Sequence, residues 1–195
     1  PMPGAVEAFA CGRTSFFALL ADGSTYALGD GQTSGVGNPS FRASPTPVTG
    51  LAGATAISGG LMHTMALRAD GTVLTAGDNF YGQVGLPGVR NQLTLVPIPG
   101  LSGVTGISGK WFFSLALRQD GTVLSWGSGS SGQLGDPAAG GSRQAPGPVT
   151  GLAGVTAVSA GDTVALALRS DGSVWAWGRN DQGQINGKPN SPPSQ

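Results

Sequence analysis

The sequence predicts an all-β protein: a β-propeller of four repeats of roughly fifty residues, each a four-stranded antiparallel blade. Three observations carry that prediction. Asp-Gly pairs recur at Asp22-Gly23, Asp70-Gly71, Asp120-Gly121 and Asp171-Gly172, at intervals of 48, 50 and 51 residues. Each aspartate is followed at a fixed distance by Gly29, Gly77, Gly127 or Gly178, and then by Gly82-Gln83, Gly132-Gln133 or Gly183-Gln184, with Ser34-Gly35 at that place in the first repeat. Finally, 35 glycines and 14 prolines among 195 residues, with only 10% charged, suit a chain of turns and short strands. The whole chain, 1–195, reads as one domain with repeats at about 1–50, 51–100, 101–151 and 152–187 and a Pro/Ser tail at 188–195.

Within a repeat the first strand is the Thr55–Ser58 segment and its counterparts Val104–Ser108 and Val155–Ser159. The second is Thr64–Arg68, repeated as Ser114–Arg118 and Ala165–Arg169. Asp-Gly then predicts a tight hairpin with positive φ at both turn positions, leading into the third strand from Thr72. Alternation in these two strands predicts a bulky face (Met65, Leu67, Leu74; Leu115, Leu117; Leu166, Leu168, Trp175, Trp177) and a flat one (Ala66, Thr75; Ala116, Ser125; Ala167, Ala176). Such a sheet stacks on a copy of itself, bulky side into flat side. The fourth strand is the Pro47-Val48 type, and proline, lacking a ladder donor, places it at the sheet edge. The four units are expected to close as a four-bladed ring, to form part of a larger propeller, or to pair with a second copy, because an open arc exposes apolar blade faces. The start at Pro1 fits a mature or excerpted chain.

Ten basic and ten acidic side chains leave a net charge of zero, so there is no basic surface for nucleic acid. No apolar run is long enough to span a membrane, and no membrane insertion is expected. A single cysteine, Cys11, and a single histidine, His63, exclude an internal disulfide framework and a multi-cysteine zinc site. No cofactor or metal is expected, and the chain is read as a non-enzyme.

Taken together, Gly100-Leu101, Gly103-Val104, Ser114-Leu115-Ala116-Leu117, Asp120-Gly121, Trp126-Gly127 and Gly132-Gln133-Leu134-Gly135 resemble the repeat of the regulator of chromosome condensation family. The resemblance covers essentially the whole chain. It implies a propeller, usually of seven blades, against the four units here. The family's roles include nucleotide exchange on a small GTPase, chromatin binding, UV-B sensing and secreted inhibition of β-lactamases. In loop character the chain is most similar to the secreted inhibitors of that family. Gly109-Lys110-Trp111-Phe112-Phe113 and Gly77-Asp78-Asn79-Phe80-Tyr81-Gly82-Gln83 resemble their two aromatic loops.

The candidate site is therefore Phe80, Tyr81, Trp111 and Phe112, expected to bind a protein partner from one propeller face, since Trp and Tyr are favoured interface anchors. The same positions elsewhere hold Arg13-Thr14, Asp162-Thr163 and Asp181-Gln182, so the repeat does not demand aromatics there. The alternative reading is a structural, self-assembling module of a larger bacterial surface protein or fibre, and a homo-oligomer completing the propeller belongs to it. A third, by family analogy, is β-lactamase inhibition or nucleotide exchange. Low Lys and Glu content and the family's secreted members suggest an extracellular or cell-surface location. His63 is expected to pack beside its strand, bonded to backbone, rather than to act as a base. Gly127–Gly132 resembles a phosphate loop but lacks the following lysine and helix. Asp78, Asn79, Asn180 and Asp181 do not form a run of alternating calcium ligands. Arg68, Arg118 and Arg169 are expected to cap or tie blades, and Cys11, at a glycine or alanine position of the other repeats, to be a buried small residue.

Overall fold

The computed structural model describes residues 2–31, 40–51 and 53–185. Ser34-Gly35 and the 188–195 tail lie outside the described residues. Blade one comprises β1 (Val6–Cys11), β2 (Ser15–Leu20), β3 (Thr25–Gly29) and β4 (Arg42–Pro47). Blade two comprises β5 (Ala54–Gly59), β6 (His63–Arg68), β7 (Val73–Asp78) and β8 (Asn91–Pro97). Blade three has β9 (Val104–Lys110), β10 (Phe113–Arg118), β11 (Val123–Ser128) and β12 (Ser142–Pro148), and blade four has β13 (Val155–Ala160), β14 (Val164–Arg169) and β15 (Val174–Gly178). Each sheet is an antiparallel meander in chain order, with the proline-bearing strand outermost in the first three. The expected fourth strand of blade four is missing among the described residues, so that sheet has three strands.

The Asp-Gly hairpins differ from the expected form in an instructive way. In blade two Gly71 N donates to Arg68 O (3.0 Å) and Arg68 N to Thr72 O (2.9 Å), and the other three blades repeat the pattern. This is a three-residue loop in which the glycine alone is left-handed, at φ 80° for Gly71, and forms a bulge. The aspartate keeps a negative φ, and its carboxylate accepts the amide two residues on, Asp70 Oδ1 from Thr72 N at 2.9 Å. The bulge also shifts the register by one residue. Met65 faces Thr75, Ala66 faces Leu74 and Leu67 faces Val73, and opposed residues share a face. The bulky face is thus Met65, Leu67 and Val73, while Leu74 joins Ala66 on the other. In blade four Trp175 and Trp177 likewise stand with Ala165 and Ala167, not with Leu166 and Leu168.

The blades stack as the two-faced pattern requires. Phe17, Val48 and Leu51 of blade one pack on Ala66 and Leu74. Met65, Leu67 and Val73 pack on Ala116, Leu124 and Trp126, and Leu115, Leu117 and Val149 pack on Ala165, Ala167 and Trp177. Two polar latches cross each of the last two junctions. Ser58 Oγ accepts from Gly109 N (2.8 Å) and Ser108 Oγ from Ala160 N (2.9 Å). The Trp126 indole donates to Gln83 O (3.0 Å) and the Trp177 indole to Gln133 O (2.9 Å).

The stack is an open arc. Leu166 (44% exposed) and Val174 (55%) on the last blade, and Phe16 (57%) on the first, are the faces that ring closure would cover. Cys11 is exposed, not buried, because its position on β1 has no preceding blade against it. His63 is buried, but its partner is a side chain: Nε2 lies 2.8 Å from Ser114 Oγ of blade three. Arg68 donates to Gly50 O (2.6 Å) in the link from blade one to blade two, and Arg169 to Ala153 O (2.9 Å) in the link that leads into its own blade.

Candidate functional site: an aromatic ridge across two blades

Both aromatic loops lie at the same end of the stack, because the start of β6 or β10 is paired with the end of β7 or β11. Phe80 and Tyr81 sit in the connection from β7 to β8, and their side chains are turned outward by how the backbone is held. Phe80 N donates to Asp78 Oδ2 (3.2 Å), and Tyr81 N donates to Gln83 Oε1 (2.9 Å). Gln83 Nε2 donates back to Asp78 Oδ2 at 2.8 Å, closing the loop on itself. Beneath it the buried Asn79 accepts from Val84 N (2.9 Å) and donates to Leu86 O (2.8 Å) and Val89 O (2.6 Å). Blade three keeps the glutamine part of this scaffold, Gln133 Oε1 accepting from Ser131 N (2.8 Å), with Gly129 where Asn79 stands. Blade four keeps both parts, Gln184 Oε1 accepting from Gln182 N and Asn180 Oδ1 from Ile185 N. Ser130 and Ser131 of blade three stand where Phe80 and Tyr81 stand, so the loop geometry does not require rings.

Trp111 and Phe112 form the two-residue turn between β9 and β10, Lys110 being paired with Phe113. Trp111 has φ 49°, the one positive φ on a non-glycine among the described residues. A bulky residue there is an outlier, with a cost of roughly 1–2 kcal/mol. The turn is held from both sides, Leu61 N of blade two donating to Trp111 O (2.8 Å) and Ser128 N to Phe112 O (2.9 Å).

The four side chains meet in one continuous ridge. Phe80 and Tyr81 lie edge-to-face with centroids 4.8 Å apart, Tyr81 and Phe112 are 4.9 Å apart, and Phe112 and Trp111 are edge-to-face at 5.7 Å. Such pairs contribute on the order of 1 kcal/mol each beyond burial. Phe80, Tyr81 and Trp111 are nonetheless exposed and Phe112 half-buried. Arg90 stacks its guanidinium 5.1 Å from the Phe80 ring. At the other end Trp111 borders a cavity of about 320 Å³ where loops of all four blades converge, with Arg13, Leu61, Lys110 and Asp162 in its wall.

Sequence reasoning named the ridge but not Arg90 or this cavity. Arg13, Leu61, Trp111 and Asp162 occupy one register position in the four repeats, and that coincidence is the signal that they converge. The acidic and amide residues considered for calcium hold loops instead. Asn180 Oδ1 accepts from Ile185 N (3.0 Å), and Asp181 is paired with Arg179. That pairing holds its carboxyl below the usual range. No cluster of three metal-ligating side chains occurs among the described residues.

Stacked two-faced blades, glycine-bulge hairpins and indole-to-carbonyl latches define a propeller-repeat module that offers a loop surface at one end. Residues 54–83, 104–133 and 155–184 match a family model described as the Regulator of chromosome condensation (RCC1) repeat, and residues 22–67 and 120–168 match a second model so described. The chain belongs to the RCC1 repeat family. Human WBSCR16 is similar in structure, with a TM-score of 0.85 at 23% identity over 99% of this chain and 53% of that one. Prp20p from Saccharomyces cerevisiae, studied for its binding to Gsp1p and histones, gives 0.85 at 20% identity over 100% and 50%. The E3 ubiquitin-protein ligase MYCBP2 of Danio rerio is 39% identical over 80 residues, 40% of this chain and 2% of the ligase. The chain thus spans about half the length of these solved structures and a small fraction of the ligase.

Proposed function

We propose that this chain is a non-catalytic protein-binding module whose contact surface is the ridge Phe80–Tyr81–Phe112–Trp111. An RCC1-type propeller fits a protein-interaction module in general. The particular assignment rests on one observation: an exposed, contiguous aromatic surface at loop positions that other repeats fill with Ser130-Ser131 or Asp181-Gln182 while keeping the same glutamine contact. Trp111 carries the reading furthest, since it occupies a strained turn that glycine would occupy without cost. Strain kept at an exposed aromatic fits a binding anchor better than a packing role. Arg90 at one end of the ridge and Lys110 at the other favour a partner that offers an apolar surface flanked by acidic groups.

The experiment follows from the turn. Trp111→Gly removes the anchor and relieves the positive φ, while it gives up the Trp111–Phe112 ring contact and adds unfolded-state freedom, so the terms offset and the variant should melt within about 1 kcal/mol of the parent. Proteins captured from the source cells by the parent chain should be lost with Trp111→Gly and restored with Trp111→Tyr. Capture that survives Trp111→Gly combined with Phe80→Ser overturns the assignment. Loss of self-association instead of capture transfers the ridge to the assembly role.

A further inference from the structure

The turn that carries Trp111 is unlike its three counterparts. In blades one, two and four the residue after the first strand is glycine, and the amides of Gly12, Gly60 and Gly161 donate to Ser15 O, His63 O and Val164 O (2.8 Å each). A side chain has no room at these places. A Cβ on Gly60 would run into the His63 ring, one on Gly12 would lie 2.9 Å from Ser15 Oγ, and one on Gly161 2.9 Å from Val164 Cγ2. Blade three has Lys110 there. Its first strand runs one residue longer, Lys110 pairs with Phe113, and a positive φ falls on Trp111. The changed turn gives Lys110 room for its side chain, and Trp111 carries the backbone strain.

Two departures from the repeat therefore coincide and set a cation beside an exposed indole. Blades two and three each stack between described neighbours, so the turns bearing Leu61, Lys110 and Trp111 have their surroundings in place. The cavity of about 320 Å³ at Trp111 also takes in Arg13 and, as its one acidic wall residue among those described, Asp162. Arg143, Arg169 and Arg179 are each paired with an aspartate of their own blade. Lys110, Arg13 and Asp162 have no ion pair or side-chain hydrogen bond among the described residues. Two cations against one carboxylate leave the cavity positive in a molecule whose net charge is zero. A carboxylate suits that balance, since Arg offers a two-pronged donor and Lys a further one. A phosphate would meet the same cations, but Asp162 opposes its second charge.

Granting the ridge its proposed function, we infer that the cavity beside Trp111 is a carboxylate site, and that the partner is a polypeptide placing an Asp or Glu side chain there. The carboxylate meets Lys110 and Arg13, and an apolar neighbour in the partner's chain rests on Trp111 and Leu61. The rings supply contact area and the cavity selects the charge.

The test uses the full chain, a random peptide library, and synthetic copies of the tightest selected peptide with its Asp or Glu changed to the amide. Selected peptides should carry Asp or Glu next to a large apolar residue. The amide copy should bind the parent roughly tenfold more weakly than the acid does, and should bind Lys110→Gln as well as the acid does. Arg13→Gln should show a smaller loss and Asp162→Asn a gain, with thermal melts unchanged in both. Peptides without acidic preference overturn the inference, as does an amide loss that survives Lys110→Gln, or weaker binding of the acid peptide by Asp162→Asn. If peptides lacking that preference are lost in Trp111→Gly, the ridge function stands without the carboxylate site. Acid-dependent binding through Lys110 that ignores Trp111→Gly and Phe80→Ser upholds the carboxylate site and overturns the ridge instead. A library from which the parent enriches nothing overturns both.

Discussion

His63 shows how one side chain can be read as chemistry and prove to be packing. Ser114 Oγ donates to Gln83 O at 2.9 Å, so its lone pair faces His63 Nε2, which must carry the ring proton. Nδ1 is then a bare acceptor, buried and without a partner among the described residues. A second proton would place a charge in a site that offers it no water and no counter-ion, and burial lowers the pKa to about 4 from 6.5. The unfolded chain takes up that proton below pH 6.5 and the folded chain does not until about pH 4. Stability from this group is therefore complete above pH 6.5 and is lost as pH falls to 4, by about 3 kcal/mol in all. His63→Phe, which copies Phe113 of the next blade, should flatten the decline in urea midpoint across that window. An unchanged slope would assign the acid sensitivity elsewhere. The ridge was legible at this same scale because Phe80, Tyr81, Trp111 and Phe112 depart from what the other repeats hold. Arg90 was not, since its contact depends on where a loop returns in space.

At the level of the element, strands, their order and their edge prolines were all readable from spacing. The register was not. Asp-Gly fits either a two-residue turn or a three-residue turn with a bulge, and the two differ by one residue, which moves Leu74 and Trp177 to the opposite face. The bulge glycine also has neighbours that depend on its place in the stack. Gly71 and Gly172 share φ values of 80° and 82°. A Cβ on Gly71 would lie 3.2 Å from Val104 N of the next blade, whereas Gly172 has open space. Gly172→Ala should cost about 1 kcal/mol for the backbone alone, and Gly71→Ala roughly 2 kcal/mol, by thermal melts. Equal losses would mean that the two turns have equivalent surroundings in solution.

For the whole molecule, the pattern predicted stacked blades but could not decide closure. A blade's two faces read the same whether or not a neighbour covers them. In the structure Leu115 and Leu166 occupy the same repeat position, one buried against blade four and the other exposed. Leu115→Asp should abolish cooperative unfolding, because it buries a charge with no partner. Leu166→Asp should shift stability by no more than about 0.5 kcal/mol. A severe loss at Leu166 would show that something covers the last face in solution.

The serine and indole latches between blades are one-sided. Ser58 and Gln83 offer acceptors forward, and the blade that follows supplies the amide and the indole. A two-fold interface must match itself, so a change on one surface changes both sides of the contact at once. A head-to-tail interface needs only adjacent halves to agree, and units in series can be duplicated or dropped without inventing a new one. The interface chemistry therefore carries direction but no count. The first junction has Ala10 where later blades have the serine and Ala76 where later blades have the indole. That junction rests instead on the packing of Phe17, Val48 and Leu51 against Ala66 and Leu74.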